Sequence, residues 1–557
     1  MSAEPARPPV LVIGLDGAGF ELLDPLLAEG RLPNLARLRG EGVGAGLESV
    51  HPPVSAPAWA SFSTGVQPGK HGVIDFMSVL PGTRNPVPVN ANWCRAPRLW
   101  HYAGDRGLRT ICFNIPLTYP PHPLNGLLVA GPLTPHPRST FTHPADLRDE
   151  IESALGPYRM EPSRKRLQRA GPERAVELAN AHIRRRVGIW LHLLREHPWE
   201  LSIGVLRTSD LMQHAFLLPE ALAQDGSGRL VGPNGEAIAR HYEFLDACVG
   251  ELRAAAPENA TTVVVSDHGA GLAERFFCLG EWLQQQGLLR RSRLPIIGAD
   301  LIMIRWRSFG RFLRACRVEG LGKLLPPRLL EAQFPTIQAT RRDVFSRGID
   351  WRRTLAAPDP GVRHGIRINL RGRDPNGIVE AGGDYEELRD RVIASLNQVR
   401  HPATNEPVIE NAWRREELYH GPHIELAPDI VIRTVRDDVV PLREFNRGRV
   451  FAGQRFGQMA VHKRWGIFLA AGQELRRGAS LDDLHLTDMA PTILHLLGLP
   501  VPSYMDGRVA EAAFAPAALA ARPVQHEEAA AVERDLVGEE EVDERVTQRL
   551  RDLGYLD

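Results

Sequence analysis

Residues 10–19 read VLVIGLDGAG, and this stretch decides the fold class. Its first six residues are apolar or glycine and include three β-branched side chains, which predicts a short buried strand. An aspartate and two glycines follow as a loop, and residues 20–27 then carry a helical apolar pattern. The stretch therefore predicts a strand, a loop and a helix in that order.

The same pattern recurs along the chain. Further short apolar runs, several of them flanked by helical stretches, lie at residues 108–114, 201–206, 261–265 and 466–470. Continuous apolar strands that alternate with helices are typical of a mostly parallel sheet covered on both faces. We therefore expect an α/β fold, a three-layer α/β/α sandwich with a mostly parallel central sheet.

A chain of 557 residues is too long for one simple core, so insertions or a second domain are expected. Residues 290–353 hold 15 Lys and Arg against 5 Asp and Glu, and the strand and helix pattern returns only near residues 428–432. We predict a catalytic domain at residues 8–280 and 425–510. Residues 281–424 are predicted to form an inserted cap that is basic in its first half, and residues 511–557 a C-terminal tail with a short amphipathic helix.

Composition excludes several classes of protein. The 67 basic and 67 acidic residues cancel, so no global charge attracts a nucleic acid polymer or an anionic membrane. No apolar window approaches the roughly 20 residues of a transmembrane helix. Five scattered cysteines without a CxxC pair favour a reducing compartment, and no secretion signal is visible, so we expect a cytoplasmic protein. The oligomeric state is not indicated.

Two predicted strands end in groups that bind metals. Asp16 follows the first strand, and Asp267-His268 follows the strand at residues 261–265. In open α/β sheets the carboxyl ends of the strands are where ligands and catalytic groups gather. Asp16 alone is better explained as a turn residue before glycine. For the Asp267-His268 pair, a ligand role and a polar turn are equally well supported.

Asp210 and His214 are four residues apart, and a helix that begins at Ser209 would place them on one face, where they could share a cation. Taken alone, a capping Asp210 with an unrelated histidine is slightly favoured. His462 adds a nitrogen donor shortly before the last strand. Together with Asp16, Asp267 and His268, these residues form a mixed oxygen and nitrogen set suited to two zinc-like ions.

Ser55 lies in the segment PVSAPAWAS, where Pro57 and small residues predict a loop that enters a helix. The helix N-terminus would present backbone N–H groups to an anion. A serine beside a metal can lose its proton and attack phosphorus, while a second metal stabilises the departing oxygen. The alternative is that Ser55 or Ser61 only caps the helix.

These residues resemble the alkaline phosphatase superfamily and, within it, the bacterial relatives of nucleotide pyrophosphatase/phosphodiesterases. Residues 12–17 resemble the first metal segment, residues 53–57 and 64–72 the nucleophile segment, and residues 486–508 the closing helix. The resemblance covers roughly residues 10–275 and 425–508. It implies that Ser55 is the nucleophile, that one metal site is formed by Asp210, His214 and His462, and that the other is formed by Asp16, Asp267, His268 and Ser55.

Two positions depart from these relatives. Phosphodiesterases of this type carry an asparagine that helps to hold a phosphate oxygen, where this chain has Phe76. Sulfatases of the superfamily carry an arginine four residues after the modified residue, where this chain has Trp59. The first departure leaves diesterase specificity open, and the second disfavours a sulfatase.

The resemblance implies a metal-dependent phosphohydrolase that cleaves a phosphodiester, pyrophosphate or monoester through a phosphoserine on Ser55. Two divalent cations, Zn²⁺ or alternatively Mn²⁺, and a small anionic phosphate-ester substrate are expected. A metal-dependent phosphomutase and a non-catalytic binding protein on the same fold are the alternatives. The basic stretch around Arg311, Arg314 and Arg317 could form a lid over the substrate or contact anionic lipids. A solvated helix packed by its apolar side is favoured over lipid contact, and the lid remains an open alternative.

Overall fold

The computed structural model describes residues 7–292, 348–453, 459–529 and 544–553. Most of the basic stretch, residues 293–347, lies outside them, and so does the prediction made for Arg311, Arg314 and Arg317.

The strands are Val10–Leu15 (β1), Val43–Glu48 (β2), Met77–Val79 (β3), Pro86–Pro88 (β4), Thr110–Phe113 (β5), Gly126–Val129 (β6), Thr142–His143 (β7), Leu201–Leu206 (β8), Thr261–Val265 (β9), Gly269–Leu272 (β10), Arg275–Cys278 (β11), Ala356–Pro358 (β12), Gly365–Ile368 (β13), Ile409–Arg414 (β14), Ile430–Thr434 (β15), Val439–Leu442 (β16), Phe451–Ala452 (β17), Ala460–Lys463 (β18), Trp465–Ala471 (β19), Ala479–Ser480 (β20), Leu484–His485 (β21), Val501–Pro502 (β22) and His526–Glu527 (β23). The α-helices are Phe20–Ala28 (α1), Pro33–Glu41 (α2), Ser55–Thr64 (α3), Pro68–His71 (α4), Leu99–Asp105 (α5), Leu147–Leu155 (α6), Arg164–Ala170 (α7), Pro172–Glu196 (α8), Thr208–Phe216 (α9), Gly232–Ala255 (α10), Leu279–Gln285 (α11), Gly383–Leu396 (α12), Arg415–Leu418 (α13), Met489–Leu496 (α14), Pro516–Ala521 (α15) and Glu544–Leu553 (α16). Among these helices, none combines the length and apolarity needed to cross a bilayer.

A large central sheet organises the molecule, with strand order β20-β2-β19-β9-β1-β8-β5-β6-β7 and β21 beside β2. Its middle strands, β9-β1-β8-β5-β6, are all parallel, whereas β19 runs antiparallel to β9 and β2. The strands predicted at residues 10–15, 108–114, 201–206, 261–265 and 466–470 all lie in this sheet. The predicted α/β sandwich with a mostly parallel central sheet is therefore confirmed.

Two glycines in the sheet make room for tryptophans from the helices that cover it. A Cβ atom on Gly14 would lie 2.5 Å from the ring of Trp59 in α3, and one on Gly204 would lie 2.5 Å from the ring of Trp190 in α8. Gly204 pairs with Ile13 rather than with Gly14, so the two glycines face opposite sides of the sheet. Helices α3 and α8 thus form opposite outer layers.

A smaller sheet of order β12-β13-β15-β14 has its own apolar core, which also includes residues of α11 and α12. Strand β15 pairs with β13 and β14, so the pattern that returns near residues 428–432 is a strand of this smaller sheet and not of the central one. A short buried apolar run has the same pattern in either sheet, which is why sequence could not assign it. The domain boundaries themselves stay predictions.

The amphipathic C-terminal helix is present as α16, and its apolar side chains Val546, Leu550 and Leu553 are buried. Val542, which was expected on the same apolar face, lies outside the described residues. The helix thus packs onto the molecule by the face that its pattern indicated.

Replacing Gly204 with alanine should lower the free energy of unfolding by about 1–3 kcal/mol, because the new methyl group collides with the ring of Trp190. Chemical denaturation measures the change. Gly188→Ala is the control, since Gly188 lies in the same helix as Trp190 and a Cβ there would meet no atom within 4 Å. It should stabilise the protein by about 0.5–1 kcal/mol. Equal stability of the two variants would contradict the packing described.

Candidate active site

Neighbouring strands deliver the candidate ligands to one edge of the central sheet. Asp16 follows β1, Asp267 and His268 follow β9 with one residue between, and Asp210 lies in α9 just after β8. Because β1 lies between β8 and β9 and all three are parallel, their carboxyl ends meet. Helix α9 begins at Thr208, one residue earlier than expected, and carries both Asp210 and His214.

One group of side chains surrounds the imidazole of His268. Its Nε2 atom lies 3.2 Å from Asp267 Oδ2, 4.0 Å from Asp16 Oδ1 and 3.1 Å from Ser55 Oγ. All four residues are fully buried. The residues expected to form one metal site therefore converge.

A second group lies beside it and contains Asp210, His214 and His462. His214 Nε2 is 3.1 Å from Asp210 Oδ1 and 2.9 Å from His462 Nε2, and His462 Nε2 is 3.5 Å from Asp210 Oδ1. The rings of His268 and His462 stack with centroids 3.7 Å apart. His268 consequently adjoins both groups, and its ligand atom lies within 4.8 Å of those of Asp210 and His462.

Backbone contacts fix which nitrogen of each imidazole faces the site. His268 Nδ1 donates to the carbonyl of Gly269 at 2.9 Å, and His462 Nδ1 donates to the carbonyl of Pro53 at 2.9 Å. Each Nε2 atom is then left with its lone pair, the form that binds a metal. His462 reaches this place because β18 pairs with β10, where it lies opposite Ala270.

Three carboxylate oxygens in the site are buried and have no hydrogen-bond partner: Asp16 Oδ1, Asp210 Oδ1 and Asp267 Oδ2. Burial, and then the charges of Asp267 and Asp210, raise the pKa of Asp16 well above its usual value. Burial also raises the pKa of Asp267 to about 7 and lowers the pKa of His268 to about 4. Oxygen and neutral nitrogen donors that lack partners fit divalent cations of the zinc type.

Several supporting contacts were not predicted. Trp59 Nε1 donates to Asp16 Oδ2 at 3.1 Å, and Ser209 Oγ donates to the backbone carbonyl of Asp16 at 2.6 Å. The buried Arg207 lies with Nη1 3.5 Å from Asp210 Oδ2. Arg207 follows β8 directly, so the strand-end argument could have found it. Trp59 lies one helical turn after Ser55 on the same helix, which is a weaker signal.

Ser55 is the first residue of α3, so its hydroxyl lies at the N-terminal, electropositive end of the helix. Phe76, which occupies the place of the asparagine in phosphodiesterases, is buried in an apolar cluster with Ala56 and Ala60 of the same helix. Its side chain supports the helix and offers no polar contact to a phosphate oxygen.

The parallel sheet and the polar groups at its strand ends agree with the fold and the site that the sequence resemblance implies. The family model for type I phosphodiesterase / nucleotide pyrophosphatase matches residues 10–457, and the chain belongs to this family. The chain is accordingly a hydrolase of phosphoric esters, as the sequence resemblance implied.

Solved structures agree with the fold. Phosphonoacetate hydrolase from Sinorhizobium meliloti 1021, in complex with phosphonoformate, is 15% identical with a TM-score of 0.51, and the match covers 88% of this chain and 96% of that one. Murine ectonucleotide pyrophosphatase / phosphodiesterase 5 is 13% identical with a TM-score of 0.45, over 88% of this chain and 95% of that one. The fold comparison rests on the first of these. None of the curated proteins matches the chain.

If the predicted site binds zinc, replacing Trp59 with phenylalanine should weaken that binding by roughly tenfold, because Asp16 Oδ2 loses the indole N–H that orients it. Competition with a chromogenic chelator measures the affinity. Trp190→Phe is the matched control: it removes a 2.9 Å indole bond to Ser202 in the helix layer across the sheet from α3, so it should lower stability without changing zinc affinity. Equal zinc affinity in both variants would show that Trp59 does not orient Asp16.

Proposed function

We propose that this chain hydrolyses a small phosphoric ester in two steps, with Ser55 as the nucleophile and two divalent cations as cofactors. Asp16, Asp267, His268 and the Ser55 oxygen would hold one cation, and Asp210, His214 and His462 would hold the other. Zn²⁺ suits this donor set best, with Mn²⁺ as the alternative.

One observation carries the proposal. Three buried carboxylate oxygens without hydrogen-bond partners face the Nε2 atoms of histidines, in a site that also contains the Ser55 hydroxyl. Unpaired buried charge is costly, and structures retain it where a cation or another partner neutralises it. A site built only for stability would pair these oxygens with N–H or O–H donors.

Ser55 is placed for attack on phosphorus. Its Oγ lies 3.1 Å from His268 Nε2, and the buried carboxylate of Asp267, 3.2 Å from the same nitrogen, would accept the hydroxyl proton as the Oγ–P bond forms. The bond from phosphorus to the leaving oxygen breaks with its electron pair, and the leaving group departs. Water then attacks the phosphoserine, which releases the phosphate product and restores the hydroxyl.

Bound cations would lower the pKa of the Ser55 hydroxyl and stabilise charge on the leaving oxygen. The N-terminus of α3 adds a favourable dipole for an anionic phosphoryl group. Arg207 and Trp59 hold the carboxylates of Asp210 and Asp16 in place from outside the site.

The substrate can be a diester, a pyrophosphate or a monoester, because Phe76 stands where phosphodiesterases carry the asparagine that helps to hold a phosphate oxygen. Product analysis separates the hydrolase from a phosphomutase, because only the hydrolase transfers the phosphoryl group to water. Cytoplasmic location stays a prediction from the cysteine pattern.

Replacing Ser55 with alanine should reduce turnover by roughly 10⁴-fold or more, because the attacking oxygen is lost. Hydrolysis of p-nitrophenyl phosphate and bis-p-nitrophenyl phosphate, with metal content measured on the same samples, tests this. Ser61→Ala is the control, since Ser61 lies on the same helix but bonds His71 at 2.9 Å. A Ser55 variant that retains its metals and turns over near the wild-type rate would exclude Ser55 as nucleophile.

Metal removal makes a separate prediction. Dialysis against a chelator should abolish turnover, and added Zn²⁺ or Mn²⁺ should restore it. Elemental analysis should find two equivalents in the wild type and about one in Asp210→Asn, because that substitution weakens only the second group. Full activity after complete metal removal would refute the metal-dependent mechanism.

A further inference from the structure

The C-terminal helix α16 lies beyond residue 457, where the family match ends, yet it packs against the catalytic domain. Leu550 and Leu553 are fully buried in a cluster that includes Ala56 and Ala60 of the helix that carries Ser55. An element outside the family match therefore contacts the nucleophile helix on its apolar side.

The same helix inserts a charged side chain. Arg549 is 7% exposed, and its Nε donates to the carbonyl of Pro132 at 3.1 Å while its Nη1 donates to the carbonyl of Glu161 at 3.2 Å. Its Nη2 lies 4.0 Å from the Glu161 carboxylate. A buried guanidinium that spans two carbonyls and a carboxylate uses the geometry that only arginine provides.

Glu161 also contacts Arg207, which lies beside the active site. Its Oε2 accepts from Arg207 Nε at 3.0 Å and from Arg207 Nη2 at 2.9 Å, and Arg207 Nη1 lies 3.5 Å from Asp210 Oδ2. All of these side chains are buried. A row of alternating charges, Arg549, Glu161, Arg207 and Asp210, thus connects the C-terminal helix to a candidate metal ligand.

The geometry points to Arg549 as a positioning residue for Asp210 that acts through Glu161 and Arg207. Arg549 supplies part of the positive charge that Glu161 requires, which leaves Arg207 Nη1 directed at Asp210 Oδ2. Asp210 Oδ1 then faces His214 and His462. Without Arg549 the buried Glu161 keeps Arg207 as its nearest cation, beside His182, whose pKa burial lowers to about 3, and the Arg207 guanidinium is drawn away from Asp210.

This inference rests on the proposed function, because it assumes that Asp210 binds a cation. The experiment measures the zinc affinity of the full-length protein by chelator competition, with thermal denaturation and steady-state kinetics on the same samples. We expect Arg549→Met to weaken one of the two zinc equivalents by about tenfold, the lower end of the effect of groups that orient ligands, and to leave the other unchanged.

Two variants separate positioning from simple docking of the helix. Leu550→Ala removes buried apolar contact and should lower the melting temperature at least as much, yet both zinc affinities should stay within about twofold of wild type, since the charges are untouched. Gln548→Ala, at an exposed position on the same helix, should change neither the melting temperature nor the zinc affinities. Equal loss of zinc affinity in Arg549→Met and Leu550→Ala would overturn the inference.

A double variant tests the route. In a Glu161→Gln background, Arg549→Met should cause no further loss of zinc affinity, because the charge through which Arg549 acts is gone. Additive losses would overturn the route through Glu161.

The variant Arg549→Lys keeps the positive charge but lacks the planar guanidinium, so it should fold even if Arg549→Met does not. It should still weaken the same one of the two zinc equivalents. A wild type that binds no zinc would refute the proposed function, whereas two equivalents that Arg549→Met and Arg549→Lys leave unchanged would refute only this inference.

Discussion

Three carboxylates, those of Asp16, Asp210 and Asp267, are buried close together, and each keeps one oxygen without a hydrogen-bond partner. Burial and then repulsion from the neighbouring carboxylates raise the pKa values of Asp16 and Asp267, whereas the contacts of Asp210 with His214 and His462 outweigh burial and hold the pKa of Asp210 well below its usual value. The remaining architecture places these groups together in spite of that cost. Parallel strands bring the chain to one edge, and imidazole nitrogens face the same space, so the site is suited to positive charge beyond that of Arg207.

The supporting structure is spread over the whole chain. Trp59 fits against the sheet because Gly14 lacks a side chain, and the same indole holds Asp16. The carbonyl of Pro53, in the loop before Ser55, accepts a hydrogen bond from His462, so the segment of the proposed nucleophile is tied to a candidate metal ligand. Rigidity of this kind keeps reacting groups in place before substrate arrives, which is how enzymes of this type lower the barrier to phosphoryl transfer.

Much of this arrangement could be predicted from the sequence because it follows local rules. Asp16 comes directly after an apolar strand, Asp267 and His268 follow another with one residue between, and Asp210 and His214 have helical spacing, so strand ends and one helix face bring them to one edge. Their assignment as ligands rests on the family resemblance, because Asp16 and Asp210 taken alone fit a turn and a helix cap. The assignment of Ile430–Thr434 could not be predicted, because a buried strand has the same pattern in any sheet. Long-range contacts such as Arg549 with Glu161 leave no periodic signal, since they depend on how distant elements pack.

The central claim is that Ser55 carries the phosphoryl group between two chemical steps. The most direct measurement is rapid acid quenching of the zinc-loaded enzyme during turnover of p-nitrophenyl phosphate, followed by peptide mass spectrometry. The account predicts a phosphoryl group on the peptide that contains Ser55, formed in a burst with the first equivalent of p-nitrophenol. Steady turnover without a burst and without any modified peptide would contradict the account and indicate direct attack by water.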